Sequence, residues 1–394
     1  MEYVLITQCR GCLAPNSDQE TVMCLKPMPL AGMFCATAEE AAQAPVFPLT
    51  WVRCRRCGLV QVQEDISDDV LFSQYNYASS SVPGLVRHFA SYANLLGERY
   101  SPVAPLHFLE IGCNDGVLLK RLPGAWRRTG VDPSDVAARG AEAKPSYDLL
   151  NASFSPALVR EAGLEGTVDV ISGSNCLAHI SNLYEVFSGV ALALKPGGHF
   201  WIEVHDLQAL LHGGQWDTIY HEHRAEWSEG ALRCCLALHG FEPVQTCRLP
   251  LHGGALRSLF RKSDQNHALP ANPPQPEPEM TSLRHAYEKR SERPAVQRLK
   301  ALQTQGRRIV AYGAAGRANV YLNQLPELHF DYIVDESPLR INKLIPRVGT
   351  PVVPPSHLRS QPSDACLITA WNYRDDIIVK NPEHGGAWLT AFGD

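Results

Sequence analysis

Two pairs of closely spaced cysteines constrain the N-terminal part of this chain. Two residues separate Cys9 from Cys12 and Cys54 from Cys57, and a glycine lies near each pair. Two such turns bring four thiolates together and complete the tetrahedral sulfur shell of a zinc ion. The alternatives are a thioredoxin-like redox pair, which needs only one Cys-x-x-Cys beside a βαβ unit, and four unrelated thiols. We therefore predict a closed, structural zinc site whose role is in folding.

Length and composition indicate an ordinary multidomain protein. The chain has 394 residues, enough for two or three domains, with 45% hydrophobic and 20% charged residues, which argues against disorder and against a membrane protein. Its formal net charge of −5 argues against nucleic acid as the main partner. The longest apolar runs are too short to span a bilayer, and the N-terminus lacks a secretory signal pattern. We therefore expect a cytoplasmic location and neither nucleic acid nor a membrane as the main partner.

Hydrophobic periodicity predicts the α/β fold class with three domains. A helix over about 81–105 leads into a region that alternates short apolar runs with helical patterns, which is typical of a doubly wound parallel sheet. A proline-rich linker over 263–278 and a charged helix near 279–305 precede a second alternating region, with strands at 308–312, 332–335 and 365–369. The predicted domains are a zinc-binding module (1–80), a central cofactor-binding domain (81–262) and a C-terminal α/β domain (263–394).

The central domain opens with a strand that runs into a glycine turn. Residues 107–111 form the apolar strand, a helix is expected from Val117, and Gly112 and Gly116 let the backbone approach a ligand closely. This Gly-x-x-x-Gly spacing lacks the three-glycine pattern that seats a dinucleotide pyrophosphate. Asp132, at the end of the second strand and 20 residues past Gly112, is placed to accept both hydroxyls of a ribose. A nucleoside without a pyrophosphate fits best.

These elements resemble the class I S-adenosylmethionine-dependent methyltransferases, whose Rossmann-like fold they imply. The resemblance rests on Glu110-Ile111-Gly112 with Gly116, on Asp132, and on the sequence Leu-Lys-Pro-Gly-Gly over 194–198. A fourth strand over 168–172 would deliver two polar residues to the mouth of the pocket, and the adenine would lie near 151–153. The resemblance implies S-adenosylmethionine as cofactor, bound by Glu110, Gly112, Asn114, Gly116, Asp132, Pro133, Ser153, Phe154, Ser174 and Asn175.

A dense titratable cluster, Tyr-His-Glu-His over 220–223, follows the cofactor-binding elements. Its histidines and carboxylate are metal-ligand types, but His221 and His223 are two residues apart and poorly placed to share one ion. General acid or base chemistry is the better functional interpretation, because a histidine beside a carboxylate titrates near neutrality. A solvated polar turn explains the spacing equally well, so the spacing alone leaves both open.

A second resemblance decides between these two interpretations. The cysteine pairs, Tyr-Asn-Tyr-Ala-Ser-Ser (75–80), Ser-Asn-Cys-Leu-Ala-His (174–179), Tyr-His-Glu-His (220–223) and His-Gly-Gly-Ala-Leu-Arg (252–257) occur in the order seen in sugar C-methyltransferases. The C-terminal region is similar too, in the segments 312–319, 335–338 and 370–375. Those enzymes methylate a ring carbon of nucleotide-linked 4-keto-deoxysugars in antibiotic pathways. The resemblance covers nearly the whole chain.

The resemblance also implies roles for individual residues. A carbon beside a ketone must lose a proton before it can attack a methyl group, so a base and a donor to the enolate oxygen are needed. His223 would be the base and Glu222 would orient it, while Tyr220 and His179 would stabilise the enolate or position the ketone. The sugar and its phosphates would contact Tyr75, Tyr77, Ser79, His252, Gly253, Arg257, Arg317 and Asn319.

Two departures from that family concern the acceptor. Arg317 and Ala318 stand where the family usually has lysine and glycine, and Arg224-Ala225-Glu226 is charged where the family tends to be apolar. The acceptor can therefore differ from the common nucleotide sugars. One competing function is a zinc-ribbon RNA methyltransferase or RNA-binding protein, and this hypothesis predicts a basic face. The other is a nicotinamide oxidoreductase that uses the turn at 313–316, but this turn lacks the three-glycine pattern.

Overall fold

The structure is a computed structural model and describes residues 3–72, 78–101, 105–141, 146–263 and 278–392. The elements of the N-terminal part are β1 (Val4–Leu5), β2 (Gln19–Met28), α1 (Ala38–Gln43), β3 (Phe47–Cys54), β4 (Val60–Val62), β5 (Glu64–Asp65) and α2 (Asp68–Leu71). The elements of the central part are α3 (Pro83–Tyr100), β6 (His107–Ile111), β7 (Arg127–Val131), α4 (Asp135–Ala141), β8 (Asp148–Leu150), α5 (Pro156–Glu161), β9 (Val168–Ser174), α6 (Leu183–Ala193), β10 (Leu194–His205), α7 (Leu207–His212), β11 (Ala225–Glu226), α8 (Glu229–Ala237), β12 (Phe241–Leu249) and β13 (Ala255–Lys262).

The C-terminal elements are α9 (Pro278–Glu288), α10 (Pro294–Thr304), β14 (Ile309–Tyr312), α11 (Gly316–Gln324), β15 (Ile333–Val334), β16 (Val352–Val353), α12 (Pro355–Ser360), β17 (Ala365–Ile368), α13 (Arg374–Lys380) and β18 (Ala387–Thr390). Short 3-10 helices lie at Asn16–Asp18, Ser79–Ser81, Leu119–Arg121, Trp216–Thr218, Leu251–Gly253, Arg290–Glu292 and Trp371–Tyr373. Within the described ranges, no helix combines the length and the apolar character needed to cross a membrane.

The central sheet has seven strands in the order β12-β13-β10-β9-β6-β7-β8. The five strands from β10 to β8 are parallel, and β13 and β12 join antiparallel at one edge. Because parallel strands end at the same edge of a sheet, the loops after β6, β7, β9 and β10 lie together. This confirms the doubly wound architecture and sets the position of the cofactor loops.

The C-terminal part forms a second sheet, which is parallel throughout, in the order β16-β15-β14-β17-β18. The N-terminal part forms a four-stranded sheet in which β11, from the central part of the chain, pairs with β4. The residues directly after the Tyr-His-Glu-His cluster are therefore anchored on the zinc module. The division at residues 80 and 262 stays a prediction.

One hydrophobic core joins the three parts. Trp216 and Tyr321 stack with ring centroids 5.2 Å apart, and the core around them includes side chains from β2, β3, α7 and the C-terminal sheet. Burial of such large aromatic surfaces is strongly stabilising. The segment that leads to residues 220–223 is therefore held between the N-terminal and C-terminal parts.

Two predicted helices differ in the structure, and proline explains both differences. The helix expected from Val117 is reduced to one 3-10 turn at Leu119–Arg121, which ends at Leu122, the residue before Pro123. The charged helix near 279–305 is split into α9 and α10, because Pro294 starts α10 and cannot donate a backbone hydrogen bond within a continuous helix. The helix predicted over 81–105 is confirmed as α3, while most of the predicted linker (264–277) lies outside the described residues.

Candidate functional site

The four predicted zinc ligands converge. The Sγ atoms of Cys9 and Cys57 lie 3.6 Å apart, as do those of Cys12 and Cys54, and all four lie within 4.8 Å of one another. Tetrahedral zinc with bonds of about 2.3 Å separates its sulfur ligands by about 3.8 Å, so the donor set fits this ion. The site is buried and closed by its four thiols, which agrees with a structural role.

Backbone turns build this cluster. Leu13 N–H donates to the Cys9 carbonyl and Gly58 N–H donates to the Cys54 carbonyl, so each pair sits on a tight turn. Gly58 has a φ of 78°, a conformation that favours glycine. The sequence therefore folds locally into two turns, and the β2–β3–β4 sheet brings the turns together.

The glycine loop after β6 forms a cradle that side chains would fill. Gly112 has a φ of +68°, and a Cβ added there would lie 2.5 Å from the Cβ of Cys176. Gly116 has a φ of +74°, and an added Cβ would collide with the ring of Tyr147. Both glycines are therefore required by conformation and by space.

Asp132 links the first two cofactor loops. Its carboxylate accepts hydrogen bonds from Asn114 N–H at 2.8 Å and from Ser134 N–H at 2.9 Å. The position after β7 is the one predicted for a ribose acceptor, and the carboxylate also fixes the loop that carries Asn114. Asn114 itself has a φ of 50°, and its side chain accepts from Ser79 N–H at 2.9 Å.

Several buried polar atoms around this cradle accept or donate no hydrogen bond among the described residues. They are Glu110 Oε2, Asp115 Oδ1, Ser174 Oγ and Asn175 Oδ1. Such atoms are costly to bury without a partner, which indicates a polar ligand at the ends of β6 and β9. Burial raises the pKa of Glu110 well above its usual range, and the nearby Asp132 raises it further. A cationic, hydroxyl-bearing nucleoside such as S-adenosylmethionine fits this donor and acceptor set.

The loop predicted to hold the adenine (151–153) forms few contacts with the rest of the chain among those described. Asn151 Nδ2 donates to the carbonyl of Asp132 at 2.8 Å, which holds the loop against the second strand. Pro133 and Ser153 are exposed, and Phe154 is buried in the core beside α6. Binding of the cofactor by Pro133, Ser153 and Phe154 stays a prediction.

His223 is held in one tautomer. Its Nδ1–H donates to the Thr218 carbonyl at 2.9 Å, so Nε2 carries the lone pair and accepts from the Tyr220 hydroxyl at 2.6 Å. Burial lowers the pKa of His223 to about 3, so the imidazole is neutral at physiological pH. The neutral imidazole can act as a base at Nε2 once the Tyr220 hydroxyl donates its hydrogen bond to another acceptor.

The orienting role predicted for Glu222 is filled by other groups. Glu222 Oε1 accepts from Gly32 N–H at 2.7 Å, whereas the Thr218 carbonyl orients His223. The reason is geometric, because consecutive residues of this turn point in different directions. Glu222 Oε2 is buried with no partner among the described residues, and burial raises the pKa of this carboxyl group. Glu222 is therefore held by the loop at Gly32, and one of its carboxyl oxygens is left without a protein partner.

His179 lies beside His223, with ring centroids 5.1 Å apart. Its Nδ1–H donates to the Glu222 carbonyl at 2.7 Å, which leaves Nε2 as an acceptor. Burial lowers the pKa of His179 to about 3, so this ring carries no second proton to offer an enolate. The geometry therefore disfavours His179 as an enolate donor and favours it as an acceptor for a hydroxyl group.

The charged residues after His223 separate into two directions. Arg224 is 1% exposed and points away from His223, where it donates to the carbonyls of His179 and Ile66 and pairs with Asp68 at 2.6 Å. Glu226 instead points toward His223, with 3.5 Å between Oε1 and Nδ1. Arg224 therefore ties the backbone together, and only Glu226 changes the chemistry near His223.

Sequence reasoning missed His205 and Glu226 as site residues. His205 ends β10, and its Nδ1 lies 4.0 Å from Glu226 Oε2. Its ring centroid is 5.1 Å from that of His223 and 6.0 Å from that of His252. The position of His205 at the carboxyl end of a parallel strand was the available signal, because ligands bind at that edge.

The predicted substrate residues occupy different surroundings. Arg257 forms a buried ion pair with Glu203, and the guanidinium of Arg257 lies 4.2 Å from the Tyr92 ring centroid. Glu203 also accepts a hydrogen bond from His88 at 2.8 Å. Glu203 is two residues before His205 and therefore lies on the same face of β10. Ser79 lies over the first cofactor loop. Tyr75 and Tyr77 lie outside the described residues.

The C-terminal part contributes Arg317 to the site. Its guanidinium pairs with Asp217 at 2.7 Å and donates to the His252 carbonyl at 3.2 Å, with Trp371 beneath it. Gly253 is required here, because an added Cβ would lie 2.6 Å from Trp371. Arg317 is thus firmly held beside the cluster.

Asn319 is fully buried. Its side-chain amide nitrogen donates hydrogen bonds to the Ala31 carbonyl at 3.1 Å and to the Met33 carbonyl at 3.3 Å. The same loop contains Gly32, whose N–H holds Glu222. The structure therefore gives Asn319 a local role in fixing that loop, and contact with substrate stays a prediction.

Comparison with known proteins agrees with this architecture. Three family models match: a zinc binding domain over 9–72, a methyltransferase domain over 85–246 and a C-methyltransferase C-terminal domain over 250–392. The C-methyltransferase NovU from Streptomyces niveus is 29% identical over 402 residues, covering 98% of this chain and 95% of that protein.

Two solved structures are similar to part of the chain. The 1,6-didemethyltoxoflavin-N1-methyltransferase of Burkholderia thailandensis is 21% identical with a TM-score of 0.35, covering 45% of this chain and 78% of that chain. The CurJ carbon methyltransferase is 16% identical with a TM-score of 0.36, covering 46% and 56%. The three family models follow one another along the chain, and a C-methyltransferase matches 98% of it, so the chain is similar over nearly its whole length to S-adenosylmethionine-dependent C-methyltransferases with an N-terminal zinc-binding domain.

Proposed function

We propose that this enzyme methylates a carbon next to the ketone of a nucleotide-linked deoxysugar, as the resemblance to sugar C-methyltransferases implies. The observation that carries the proposal is the hydrogen-bonded series from the Thr218 carbonyl through His223 to the Tyr220 hydroxyl. It supplies a neutral base and a hydroxyl donor side by side, which are the two groups that enolate formation requires.

His223 is the proposed base. When the ketone oxygen takes the hydrogen bond of the Tyr220 hydroxyl, Nε2 of His223 is released and can accept the proton of the adjacent carbon. Burial raises the pKa of Tyr220 well above its usual range, so the hydroxyl keeps its hydrogen and donates to the developing enolate oxygen. The unpartnered carboxyl oxygen of Glu222 and Nε2 of His179 are proposed to contact neighbouring hydroxyl groups of the sugar.

The cofactor loops lie at the edge of the sheet where β10 also ends. S-adenosylmethionine, when bound, supplies a methyl group on a positively charged sulfur. Glu110, Asp132, Ser174 and Asn175 are proposed to hold and orient this cofactor, and Gly112 and Gly116 let it approach the backbone. Methyl transfer then depends chiefly on how closely the enolate carbon is aligned with the methyl group.

The nucleotide part of the substrate is assigned to the side formed by the C-terminal part. Arg317 and His252 lie there, next to Gly316, whose added Cβ would lie 3.6 Å from the Tyr220 ring. A small molecule rather than nucleic acid is supported by the net charge of −5. A cytoplasmic location is supported by the twelve cysteines, none of which forms a disulfide in the structure.

The test is to incubate the enzyme with a panel of 4-keto nucleotide sugars in deuterated water. Without cofactor we expect deuterium to enter the carbon beside the ketone. With S-adenosylmethionine we expect a product in which a methyl group replaces one hydrogen of that carbon, a net gain of CH2. His223→Ala should reduce deuterium entry by about 10²-fold or more.

The matched control is His239→Ala. His239 is also shielded by burial, which lowers its pKa to about 4, but it contacts Ser188 and Tyr184 rather than the catalytic cluster. The His239→Ala variant should introduce deuterium into the keto sugar and methylate it at the same rates as the wild-type enzyme. A wild-type enzyme that binds S-adenosylhomocysteine yet neither exchanges nor methylates any member of the panel would exclude the proposed acceptor class.

A further inference from the structure

Glu226 is a buried carboxyl group in an unusual environment. It is 0% exposed, and neither of its oxygens accepts a hydrogen bond from any described residue. An isolated buried carboxylate is costly, and a buried polar atom without a partner indicates a functional role or a missing ligand.

Each oxygen of Glu226 faces a different imidazole. Oε1 lies 3.5 Å from Nδ1 of His223, and Oε2 lies 4.0 Å from Nδ1 of His205. Nδ1 of His205 has no hydrogen-bond partner in the described part of the chain, and the His205 side chain is 17% exposed, whereas His223 is 7% exposed. Glu226 therefore lies between the deeply buried base and a histidine that reaches toward solvent.

We propose that Glu226 is the charge-compensating partner of His223 and releases its proton through His205 when His223 takes a proton from the substrate. This inference rests on the proposed function of His223 as the base. Its physical reason is that a buried imidazolium without a counter-charge is unfavourable, whereas a carboxylate 3.5 Å away stabilises it.

The proton balance is consistent with methylation of carbon. The substrate carbon gives its proton to Nε2 of His223, and the carboxyl group of Glu226 gives its proton to Nδ1 of His205, which releases the hydrogen on its own Nε2 to solvent and so stays neutral. The buried pair therefore keeps a net charge of zero while the enolate forms. After product leaves, Nε2 loses its proton and Glu226 regains one through His205, so each turnover releases one proton, as transfer of a methyl group from sulfonium to carbon requires.

The groups that face Glu226 come from several elements. They are His205 on β10, Tyr220 and His223 before β11, and Arg317 on α11, whose charge is already paired with Asp217. Burial raises the pKa of Glu226 to about 8, and the Arg317 charge acts in the opposite direction. The carboxyl group is therefore protonated in the resting enzyme near neutral pH, and its ionisation is accessible during turnover.

A metal ion is the competing explanation, because His205, His223 and Glu226 have ligand atoms within 4.8 Å of one another. Nδ1 of His223 is the atom nearest Glu226, but its hydrogen donates to the Thr218 carbonyl at 2.9 Å. Metal binding at this nitrogen would remove that hydrogen bond. The geometry therefore favours proton exchange over coordination.

The first experiment compares Glu226→Gln, Glu226→Asp and the control Glu279→Gln. Glu279 lies at the same 3.5 Å from a histidine, His212, but in a more exposed pair outside this cluster. We expect Glu226→Gln to slow deuterium entry into the keto sugar roughly 10- to 100-fold and to change its dependence on pH between about 6 and 9. Glu226→Asp should restore part of the rate, and Glu279→Gln should match wild type.

Affinity for S-adenosylhomocysteine should stay within about twofold in all three variants, which separates this effect from misfolding. Deuterium entry at the wild-type rate in Glu226→Gln would overturn the proposal. So would an equal loss of rate and cofactor affinity that Glu226→Asp does not restore, since that indicates a structural role only. Tightly bound zinc in excess of one ion per chain, lost in Glu226→Gln, would establish the metal explanation instead.

The second experiment needs no substrate. In wild-type enzyme the imidazole nuclear magnetic resonance signals of His205 and His223 should shift together with a midpoint near pH 8, and this step should be absent in Glu226→Gln. Independent behaviour of the two signals would overturn the proposal. If wild type acts on no keto sugar, the proposed acceptor is wrong, while this titration still decides the coupling of Glu226 to both histidines.

Discussion

The Tyr220 hydroxyl lies 2.6 Å from Nε2 of His223, and their ring centroids are 4.0 Å apart. The Thr218 carbonyl fixes the hydrogen of this histidine on the opposite nitrogen, so the hydroxyl must be the donor. A base and an oxyanion donor are therefore joined by one hydrogen bond in the resting enzyme. A ketone that takes over this hydrogen bond activates both groups at once.

Removal of the Tyr220 hydroxyl tests this relationship. We expect Tyr220→Phe to lower kcat for methyl transfer by about 10²-fold, because the enolate oxygen loses a preorganised donor. Affinity for S-adenosylhomocysteine should not change. Tyr287→Phe is the control, since that hydroxyl also forms hydrogen bonds, to Lys26 N–H and Gln324, but outside the catalytic cluster. Steady-state kinetics that show no difference between the two variants would contradict the assignment.

Asp132 is expected to control cofactor affinity. The carboxylate of Asp132 accepts hydrogen bonds from the N–H groups of Asn114 and Ser134. In Asp132→Asn, the side-chain NH2 group must replace one of these two acceptor oxygens and would face an N–H group. Loss of a charge-assisted acceptor should weaken binding of S-adenosylhomocysteine roughly 10- to 100-fold. Isothermal titration calorimetry measures this change, with Asp148→Asn, an exposed acid on the neighbouring strand, as the control. Equal affinities in the two variants would remove Asp132 from the cofactor site.

The zinc cluster is expected to stabilise the fold. Cys54→Ser should reduce zinc content from about one ion per chain toward zero and lower Tm, because metal binding contributes several kcal/mol of folding free energy, on the order of that in small zinc domains. Cys24→Ser changes an exposed cysteine on β2 and should retain zinc. Elemental analysis and thermal melting measure both effects. A Cys54→Ser protein with full zinc content would show that this thiol is not a ligand.

Stability should depend on pH through two buried groups with opposite signs. The pKa of His223 is lowered to about 3, so the free energy of unfolding falls as pH drops from 6.5 toward 3. The pKa of Glu226 is raised from 4.5 to about 8, so its contribution is fully present below pH 4.5 and is lost as pH rises through 8. Each pKa unit corresponds to about 1.4 kcal/mol, so each group accounts for at most a few kcal/mol.

Glu226→Gln should therefore flatten the alkaline side of the stability profile. We expect the variant to gain stability relative to wild type as pH rises from about 5 to 9, because glutamine cannot ionise. Chemical denaturation across this pH range measures the difference. A constant difference at every pH would mean that the pKa of Glu226 is the same in the folded and unfolded states, which would contradict the raised value.

The local features of this protein were predictable from the sequence. The Cys-x-x-Cys spacing sets the turns at Cys9 and Cys54 by covalent geometry, and the apolar run before Gly112 sets a strand and its turn. These predictions depend on residues only a few positions apart, so they need no knowledge of the rest of the chain. The helix expected from Val117 was wrong because Pro123 outweighed the apolar pattern.

The partners within the catalytic cluster were decided by the tertiary structure. Glu222 accepts a hydrogen bond from Gly32, about 190 residues away in sequence, whereas Glu226 lies close to both His205 and His223. Arg317 pairs with Asp217, about 100 residues away in sequence, and Asn319 donates a hydrogen bond to the loop at 30–33. Such contacts depend on how the N-terminal four-stranded sheet, the segment around Trp216 and the C-terminal sheet pack around a shared core. Residues one or two positions apart in the same turn or strand can therefore contact different parts of the chain. The sequence by itself determined which chemical groups were available, and the packing of the three parts determined which of them touch.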